Sequence, residues 1–535
     1  MSIFQAILIG LVYYLSNSPW PFGGLGNYAI LYRPMIGGFV VGLILGDPVQ
    51  GTIIGATINL MYIGFISAGG SMPSDMSLAG ILGTALAITG GLETEAALAI
   101  AVPLGLVGAI FWVGSMTICT AFVPLADKLA EQGKADKVWI PNVLLPQLIK
   151  FALTFFPSFL AAYFGGAYIQ GFINALGGNV LRILSIIGGM LPAVGIALTL
   201  LAIFKGKARI FFFFGFLLAA YFNIPILPLS LLFLCITIIY MQLQEKAEEV
   251  KKEFVEEAVS AEPKNESLLT KKDLVKSWLT WMYYFQSCYN YERMQGVGFL
   301  HSMSHLIKRL YKDNPEERSK AMKRHVQFIN TENAFGSAII GLTAAMEEQK
   351  AQGADLDDES FTSIKTGLMG PLAGIGDPLW QGVAIPLLIV FFLGMAIEGS
   401  VAAPILYSIV FFAIYYGVGY WLMKLGYEKG SEKILEFMES GTLKKVIAGA
   451  GIIGNGVIGG LVANYVNVQT AIQITQSADN VFVLQTELFD KIMPGILALA
   501  LTMFCYWLLK KKVSSLKVIL IVAAIGIVGG LIGVF

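Results

Sequence analysis

Two segments of this sequence combine Gly, Asp, Pro and Gln in the same order. Residues 46–51 read Gly-Asp-Pro-Val-Gln-Gly, and residues 376–382 read Gly-Asp-Pro-Leu-Trp-Gln-Gly. Within a bilayer, a helix break is tolerated only where protein or water satisfies the freed backbone groups. Paired breaks in two halves of a chain point to a substrate site, and ionisable residues at membrane depth are usually functional. The two segments therefore predict a polar substrate path, while each alone also fits a turn or close helix packing.

The elements that position these segments are membrane helices. The 535 residues are 56% hydrophobic and only 13% charged, with a mean hydropathy of +0.70, whereas about a quarter of a soluble protein is charged. A helix needs roughly 20 residues to cross the hydrocarbon core. The apolar runs that reach or approach this length are residues 78–92, 97–122, 184–203, 226–239, 383–397, 402–422, 447–463, 496–509 and 518–535. We predict an all-α polytopic membrane protein with two transmembrane halves that contain broken or re-entrant helices.

A charged, polar stretch separates the two apolar halves. Residues 244–268 are rich in Lys and Glu and contain Pro263, which is typical of a linker. We therefore predict a transmembrane domain over residues 1–243 and a second domain over residues 269–535. In the second domain, residues 269–363 are too charged for lipid, but Trp278, Trp281, Phe285 and Tyr289 recur at helical spacing. This part is expected to form amphipathic helices, and residues 364–535 to form transmembrane helices.

The distribution of Lys and Arg predicts the orientation of the chain, because short basic loops stay on the cytoplasmic side. The basic loops are residues 128–137, 205–209, 424–445 and 510–512, together with the linker. The loop 464–490 contains no Lys or Arg, so we place it and the C-terminus outside. The first apolar stretch, residues 3–15, lacks a basic leader and a small-residue cleavage site, and we expect it to be retained as structure.

Neither composition nor motifs predict a cofactor, a metal site or a nucleic-acid partner. The formal net charge is zero, and the four cysteines have no paired spacing. His301 and His305 would share a helix face, a spacing that can bind metal, but with no third ligand nearby we expect them to pack. His325 is expected to form a structural hydrogen bond and not to carry a phosphoryl group. We predict no catalytic residue.

Several motifs resemble components of the mannose/fructose/sorbose family of bacterial phosphotransferase-system permeases. Residues 1–244 resemble the IIC component, and residues 269–535 resemble the IID component more specifically. The IIC-like motifs are Arg33-Pro34, residues 42–47 and residues 51–57 followed by Gly69, Gly70 and Asp75. The IID-like motifs are residues 290–295, residues 309–311, Arg324-His325, Phe328, Asn330-Thr331, residues 347–349 and residues 367–378.

This resemblance implies a natural or engineered fusion of two proteins that are usually separate chains. It implies that a sugar of the mannose, fructose, sorbose or N-acetyl amino sugar class crosses the bacterial cytoplasmic membrane. A phosphohistidine on a soluble IIB protein, recharged by IIA, phosphorylates that sugar, and neither protein is present in this sequence. The resemblance further implies a homotrimer that works by an elevator-like displacement in membrane lipid.

Two residues depart from the family pattern, so the resemblance does not determine which sugar is bound. Asn59 stands where mannose-type members have an acidic residue, and Asn333 stands where they often have Pro. Residues 188–195 are instead similar to the N-acetylgalactosamine-type branch.

A sugar site needs carboxylates, amides and one or two aromatic rings. The candidate substrate-binding residues with this chemistry are Gln50, Asn59, Ser67, Asp75, Asn290, Glu292, Gln295, Asn330, Asp377 and Trp380. Each one alone also fits a packing or capping role.

Two alternatives remain open at the level of the sequence. In an ion-coupled sugar transporter without phosphorylation, Asp47, Asp75 and Asp377 would be the coupling carboxylates. In a receptor for phage or bacteriocin, the loop 464–490 would be the docking surface. For the phosphotransferase, the cations Lys308, Arg309, Lys323 and Arg324 are candidates to steer an anionic IIB protein.

Overall fold

The computed structural model describes residues 1–63, 74–204, 206–249, 267–439, 441–477 and 480–535. The first half, residues 1–243, is helical. Its helices are α1 (Ile3–Ser16), α2 (Gly24–Ala29), α3 (Pro34–Leu45), α4 (Pro48–Tyr62), α5 (Met76–Gly90), α6 (Thr94–Thr120), α7 (Val123–Glu131), α8 (Leu145–Met190), α9 (Pro192–Ile203), α10 (Arg209–Phe222) and α11 (Ile226–Glu249). Most of the predicted linker 244–268, namely residues 250–266, lies outside the described residues.

The second half, residues 269–535, begins with four helices from the predicted polar block: α12 (Lys271–Tyr284), α13 (Gly296–Leu310), α14 (Pro315–His325) and α15 (Asn333–Ala351). The helices that follow are α16 (Asp358–Leu379), α17 (Ile385–Ile397), α18 (Ala402–Glu439), α19 (Gly441–Tyr465), α20 (Asp490–Ile492), α21 (Ile496–Lys510) and α22 (Ser515–Leu531). One antiparallel hairpin, β1 (Gln473–Ser477) and β2 (Asn480–Val483), lies in the loop before α20. The predicted all-α polytopic fold is confirmed.

Within the described ranges, four helices are long and apolar enough to cross a membrane. They are Ala96–Glu131, Ala135–Gly165, Asp358–Ile397 and Ala402–Gly430, and the bent pair Gln485–Ile492 and Ile496–Lys510, which meets at 66°, makes a fifth if it counts as one span. Shorter apolar helical stretches of 10–17 residues, such as Ile3–Ser16 and Pro34–Leu45, occur as well. The predicted apolar runs are thus helical, but many are too short to span alone and depend on the helices packed around them.

The two Gly-Asp-Pro segments adopt different structures. In the first, Gly46 ends α3 at φ 89°, and Asp47 caps α4 by accepting a hydrogen bond from the Gln50 backbone N–H at 3.0 Å. In the second, α16 runs through Asp377 and continues into α17 by a π-helical turn at Trp380–Ala384. The first segment is therefore a turn between helices. The second interrupts a long helix without ending it, and such π-turns are frequent at functional sites.

Four glycines bring α3 and α4 into backbone contact. Gly38 and Gly42 on α3 face Gly51 and Gly55 on α4, so each helix carries a small residue at every fourth position. A Cβ on Gly51 would lie 2.5 Å from the Gly38 carbonyl oxygen and 2.6 Å from the Gly42 Cα. Without a hydrophobic force between helices in lipid, such close packing supplies much of their association. The α3–α4 hairpin therefore has no room for larger side chains at this crossing.

The two halves are joined by hydrogen bonds from tyrosines and an amide. Tyr407 and Tyr416 on α18 donate to the carbonyls of Ala29 and Phe22, at 2.7 and 2.8 Å. On the other side of the first half, the Asn142 amide donates to the Tyr284 carbonyl at 3.1 Å. The two tyrosine bonds fix the segment between α1 and α3 against the second half, and the Asn142 bond fixes the segment before α8.

The polar block has its own buried charge network. Arg324 has a side chain only 1% exposed and pairs with Glu317, while the Tyr311 hydroxyl donates to Glu347 Oε2 at 2.6 Å. His325 Nε2 lies 2.7 Å from Glu347 Oε1, and its Nδ1 has no partner among the described residues. The hydrogen bond requires the proton on Nε2 if the imidazole is neutral. The prediction that His325 forms a structural hydrogen bond is confirmed.

Burial lowers the pKa of His325 to about 4. Burial also raises the pKa of Glu347, but the hydrogen bond from His325 and the nearby Arg324 outweigh it and hold that pKa below its ordinary value. At neutral pH the pair is therefore a neutral imidazole that donates to a carboxylate.

The prediction of four steering cations is wrong for Arg324, because its guanidinium is buried in this network. Lys308 pairs with Asp136 at 2.6 Å, and Arg309 pairs with Asp273 at 2.7 Å. Of the four cations, only Lys323 is exposed without an ion pair in the described part of the chain.

We expect Gly51→Ala to destabilise the protein by about 1–3 kcal/mol, because the added methyl group overpacks the α3–α4 crossing. Gly114→Ala on α6 is the matched control, since nothing lies within 4 Å of a Cβ there. Removing a flexible glycine from that helix should be neutral or should stabilise by about 0.5–1 kcal/mol. The thermal midpoint of the detergent-solubilised protein measures both effects, and equal midpoints for the two variants would contradict the packing described above.

We expect the stability of the polar block to fall as the pH drops from 7 to 5. An unfolded histidine takes up a proton near pH 6.5, whereas native His325 has a pKa of about 4. The unfolded state thus binds more protons in this window, and acid favours it. Thermal unfolding followed by tryptophan fluorescence should show a weaker pH dependence for His325→Gln, which keeps a donor to Glu347. An unchanged slope would assign the effect to His301 and His305 instead.

Candidate functional site

A cavity lies between the two halves of the chain, just beyond the end of α1, and is called the interhalf cavity below. Its volume is ≈ 70 Å³, counted as the space open to the centres of water molecules. Since one water needs ~10–15 Å³ by this measure, there is room for about five. The first half contributes Ser16, Asn17, Ser18, Pro19, Gly24, Leu25, Tyr28, Tyr32, Trp112 and Lys150, and the second half contributes Tyr283, Gln286, Ser287 and Gln381.

The amide of Asn27 shapes the polar loop that lines the cavity. Asn27 Nδ2 donates to the carbonyls of Ser18 at 2.7 Å and Trp20 at 2.9 Å. Ser16 at the end of α1 is fixed by a 2.6 Å hydrogen bond to Ser77 on α5. The loop therefore presents its hydroxyl and amide groups from a rigid backbone.

Asp75 lies directly behind this loop and is 1% exposed. Its Oδ1 caps α5 by accepting from the Leu78 backbone N–H at 2.9 Å, and its Oδ2 accepts from the Tyr13 hydroxyl at 2.6 Å. It also accepts a hydrogen bond from Tyr32, which lines the cavity. Asp75 is thus one hydrogen bond away from the cavity and sets the position of Tyr32.

Asp377 and Asn330 approach the cavity in the same indirect way from the second half. Asp377 Oδ1 accepts from Gln381 Nε2 at 3.2 Å, and Gln381 lines the cavity. Asn330 Oδ1 accepts from the Tyr289 hydroxyl at 3.1 Å, and the Tyr289 ring lies 6.2 Å from that of Trp112 in the cavity wall. Asp75 and Asp377 therefore both stand behind the cavity, one in each half of the chain.

Glu332 is a buried carboxylate that the sequence analysis missed. It caps α15 by accepting from the backbone N–H groups of Ala334 and Phe335, and Tyr415 donates to it at 3.2 Å. It is near enough to Asp377 for the two carboxylates to repel each other. The position of Glu332, directly after Asn330-Thr331 and before a predicted helix, was the sequence feature that could have identified it.

Trp380 is 3% exposed and packs edge-on against Tyr415, with ring centroids 4.8 Å apart. Its Nε1 has no hydrogen-bond partner in the described part of the chain. Trp380 therefore stiffens the π-turn that carries Gln381.

Three of the predicted residues serve the backbone or the surface. Asn290 accepts from the backbone N–H groups of Glu292 and Arg293 and donates to the Cys288 carbonyl. Gln295 exchanges two hydrogen bonds with the backbone of Thr331, at 2.8 and 3.0 Å. Glu292 pairs with Arg293 at 3.2 Å near the surface. None of these three lines the interhalf cavity.

The candidates on α4 lie apart from the cavity. Gln50 is half-buried near the start of α4. Asn59 is fully buried and accepts from the Met35 backbone N–H at 3.4 Å, while its Nδ2 has no partner. Ser67 lies outside the described residues.

The cavity also contains groups that sequence reasoning missed. Ser16, Asn17 and Ser18 interrupt the first apolar stretch immediately after Leu15, and this polar run was a readable signal. Lys150 is 8% exposed within an otherwise apolar segment of α8. No hydrogen bond or ion pair to its ammonium group occurs in the described part of the chain. The tyrosines carry no such signal, because aromatic residues are abundant in this sequence.

The wall of the cavity combines hydroxyls, amides, aromatic rings and one ammonium group. Among the described residues that line it, none carries a carboxylate. Such a lining suits a neutral ligand with many hydroxyl groups, since each hydroxyl can both donate and accept.

His301 and His305 lie away from the cavity and pack between the halves. His301 Nδ1 is 3.1 Å from the Asn142 amide, and His305 Nε2 is 3.0 Å from the Thr280 hydroxyl. The expected packing role is confirmed.

Comparison with known proteins gives matches to both halves. Residues 3–239 match the family described as the PTS system sorbose-specific IIC component, and residues 268–535 match the PTS system mannose/fructose/sorbose family IID component.

Individual relatives show the same division. The mannose-specific EIID component of Escherichia coli K12 is 42% identical over 262 residues, which cover 46% of this chain and 90% of that protein. The mannose-specific EIIC component of the same organism is 33% identical over 218 residues, covering 40% of this chain and 81% of that protein. The fructose permease IID component of Bacillus subtilis 168 is 35% identical over 269 residues, covering 49% and 96%.

A solved structure of a mannose transporter in complex with microcin E492 contains a chain that is 38% identical to this one. It covers 50% of this chain and 99% of its own length, with a TM-score of 0.30. Together, the family matches over both halves and the identities to curated components establish what this polypeptide is. The chain belongs to the mannose/fructose/sorbose family of phosphotransferase-system permeases and joins a IIC and a IID component into the sugar-translocating membrane part of such a system.

Proposed function

We propose that this permease binds a hexose or an N-acetyl amino sugar in the interhalf cavity and moves it inward across the bacterial cytoplasmic membrane. The observation that carries the proposal is the composition of the cavity, which both components build from hydroxyl, amide and aromatic groups. A site formed by both components would make sugar binding depend on IIC and IID together. In the conformation described here the cavity has room for about five waters, and we expect its walls to separate as the sugar binds.

The lining assigns a role to each kind of side chain. The amides of Asn17, Gln286 and Gln381 can each donate to and accept from sugar hydroxyls, and the Lys150 ammonium adds donors only. The Trp112 ring offers an apolar face to the weakly apolar side of a sugar ring. Asp75 and Asp377 act through Tyr32 and Gln381, whose hydrogen bonds they orient.

The phosphoryl group is proposed to come from a soluble IIB protein that is recharged by IIA. All three histidines are largely or fully buried, and His325 is already hydrogen-bonded to Glu347. A phosphohistidine has to be accessible to two partners in turn, so none of the three fits that role. Residues 128–137 and Lys323 offer basic groups for IIB docking in place of Arg324.

The arrangement of the chain in its membrane follows the family expectation. We propose a homotrimer with an elevator-like movement, a cytoplasmic linker at residues 244–268 between domains 1–243 and 269–535, and an extracytoplasmic C-terminus. No observation favours ion coupling without phosphorylation.

Uptake by membrane vesicles tests this function directly. Vesicles that contain the chain should accumulate sugar phosphate when phosphoenolpyruvate and the soluble phosphocarriers, including IIA and IIB, are supplied. Uptake should survive a protonophore. Uptake of free sugar that needs no phosphoenolpyruvate and stops with the protonophore would refute the proposal in favour of ion coupling.

We expect Gln381→Leu and Lys150→Met each to weaken sugar binding roughly 3- to 10-fold, the loss expected for one or two hydrogen bonds of about 0.5–1.5 kcal/mol. Gln147→Leu is the matched control, because Gln147 is also a buried amide but does not line the interhalf cavity. Calorimetric titration of the purified chain with mannose and N-acetylgalactosamine measures affinity without the soluble proteins. Unchanged affinity in both cavity variants would place the sugar elsewhere.

We expect Asp75→Ala and Asp377→Ala to abolish uptake while the protein still assembles. Asp75→Asn separates charge from capping, since Asn caps a helix as well as Asp does, whereas Ala also loses about 1 kcal/mol of cap stability. Asp47→Asn is the control, because Asp47 caps α4 in the same way but is exposed and far from the cavity lining. Normal uptake by Asp75→Asn and Asp377→Asn would show that neither charge positions the cavity side chains.

A further inference from the structure

A second and larger cavity system runs along α12, at a surface to which both halves of the chain contribute. One part has a volume of ≈ 640 Å³ and the other of ≈ 720 Å³, by the measure used above. The two parts share Thr280 and Tyr284, so they form one continuous groove. It is called the α12 groove and lies between α12, α13 and the start of α8.

One end of the α12 groove is cationic. Lys271, Lys272 and Lys276 line it, and all three are exposed. None of them forms an ion pair within the described ranges, and the acidic residue beside them, Asp273, is already paired with Arg309 at 2.7 Å. Three positive charges thus face the groove without a counter-charge.

The other end of the groove is apolar and open. Trp139, Leu144 and Leu148 line it and are 45%, 40% and 58% exposed. From Trp139 to Phe151 the chain rises by about 18 Å at 1.5 Å per helical residue, which is close to one leaflet of hydrocarbon, roughly 15 Å. Trp side chains prefer the interface between headgroups and hydrocarbon, so Trp139 marks that level.

We propose that the α12 groove binds an anionic diacyl phospholipid. Its phosphodiester group lies among Lys271, Lys272 and Lys276, and an acyl chain follows the apolar wall from Trp139 to Phe151. Basic pockets at the edge of membrane helices bind anionic headgroups for the same electrostatic reason. A zwitterionic lipid would leave the lysines without a net counter-charge, and a soluble anion would leave the apolar end uncovered.

The histidines at the junction of the two ends agree with this assignment. Burial, together with nearby Lys276, lowers the pKa of His301 to about 3 and that of His305 to about 4. Both imidazoles are therefore neutral, and the positive potential of the groove comes from its lysines. Asp136 is near enough to His305 to raise the pKa of its imidazole, but this carboxylate is paired with Lys308.

Retention of lipid by the purified full chain tests the proposal. After delipidation in a neutral detergent, the chain is titrated with phosphatidylglycerol or with phosphatidylcholine, and bound lipid is counted by native mass spectrometry. We expect phosphatidylglycerol to bind and to raise the thermal midpoint more than phosphatidylcholine does. The variant Lys271→Gln/Lys272→Gln/Lys276→Gln should bind phosphatidylglycerol roughly tenfold more weakly or worse, with an unchanged response to phosphatidylcholine.

Two further variants make the outcome specific to the groove. Lys510→Gln/Lys512→Gln/Lys517→Gln removes three exposed, unpaired lysines elsewhere and should keep full phosphatidylglycerol binding. Leu148→Trp fills the apolar end and should reduce binding of both lipids, and sugar binding should be unchanged in every variant.

Three results would overturn the proposal. The first is undiminished phosphatidylglycerol binding in the Lys271/Lys272/Lys276 variant. The second is an equal stabilisation by inorganic phosphate, which would assign the lysines to a free anion. The third is a change in oligomeric mass without a change in bound lipid, which would make the groove a contact between copies of the chain.

Discussion

The structure depends on hydrogen-bond donors to backbone carbonyl groups. These carbonyls lack a helical partner because the helices are interrupted. Between α1 and α3 the chain is largely non-helical, and in an apolar environment each such carbonyl is costly without a partner. Asn27 supplies one amide to the carbonyls of Ser18 and Trp20. Two tyrosines of α18 supply the donors for Phe22 and Ala29. The loop that lines the interhalf cavity is thus completed by the IID component, which gives a physical reason for the two components to act as one unit and to tolerate fusion.

The sequence was a good guide to the elements and their class. Hydropathy located the membrane helices, and helical spacing around Trp278 and Trp281 located the polar block, because burial imposes those patterns directly on the sequence. The Gly-Asp-Pro motifs indicated where the helices are irregular but not which local structure each motif adopts. Asp47 caps a turn, whereas Asp377 sits inside a helix that passes through a π-turn. The same three residues fit both settings, because proline is tolerated in a helix whose neighbours or local π geometry satisfy the freed carbonyl.

The site was only partly readable from the sequence. The cavity is faced by Tyr32, Gln381 and Trp112. Asp75 and Asp377 each stand one hydrogen bond behind it. Asn330 reaches Trp112 through a hydrogen bond from Tyr289 and the contact between the Tyr289 and Trp112 rings. Sequence analysis identifies groups whose burial costs free energy. In this chain those groups are carboxylates, and they orient the side chains that line the cavity. Asn290 and Gln295 were equally polar, but they turned out to satisfy backbone groups of their own loops. Polarity alone does not tell these two uses apart, since both require a partner and only the fold decides which partner is near.

This arrangement bears on how the interhalf cavity, which we propose as the sugar site, keeps its carboxylates out of direct contact with the ligand. A carboxylate that faced the cavity directly would need a cation as its partner. Without one, its desolvation would cost a large free energy when water leaves the cavity. Placing Asp75 behind Tyr32 and Asp377 behind Gln381 keeps each carboxylate hydrogen-bonded in the conformation described here. It also fixes which atom of the tyrosine or the amide points toward the ligand, because the carboxylate can only accept. Asp377 accepts one N–H of the Gln381 amide, which fixes the orientation of that amide, and its carbonyl oxygen can accept from a sugar hydroxyl.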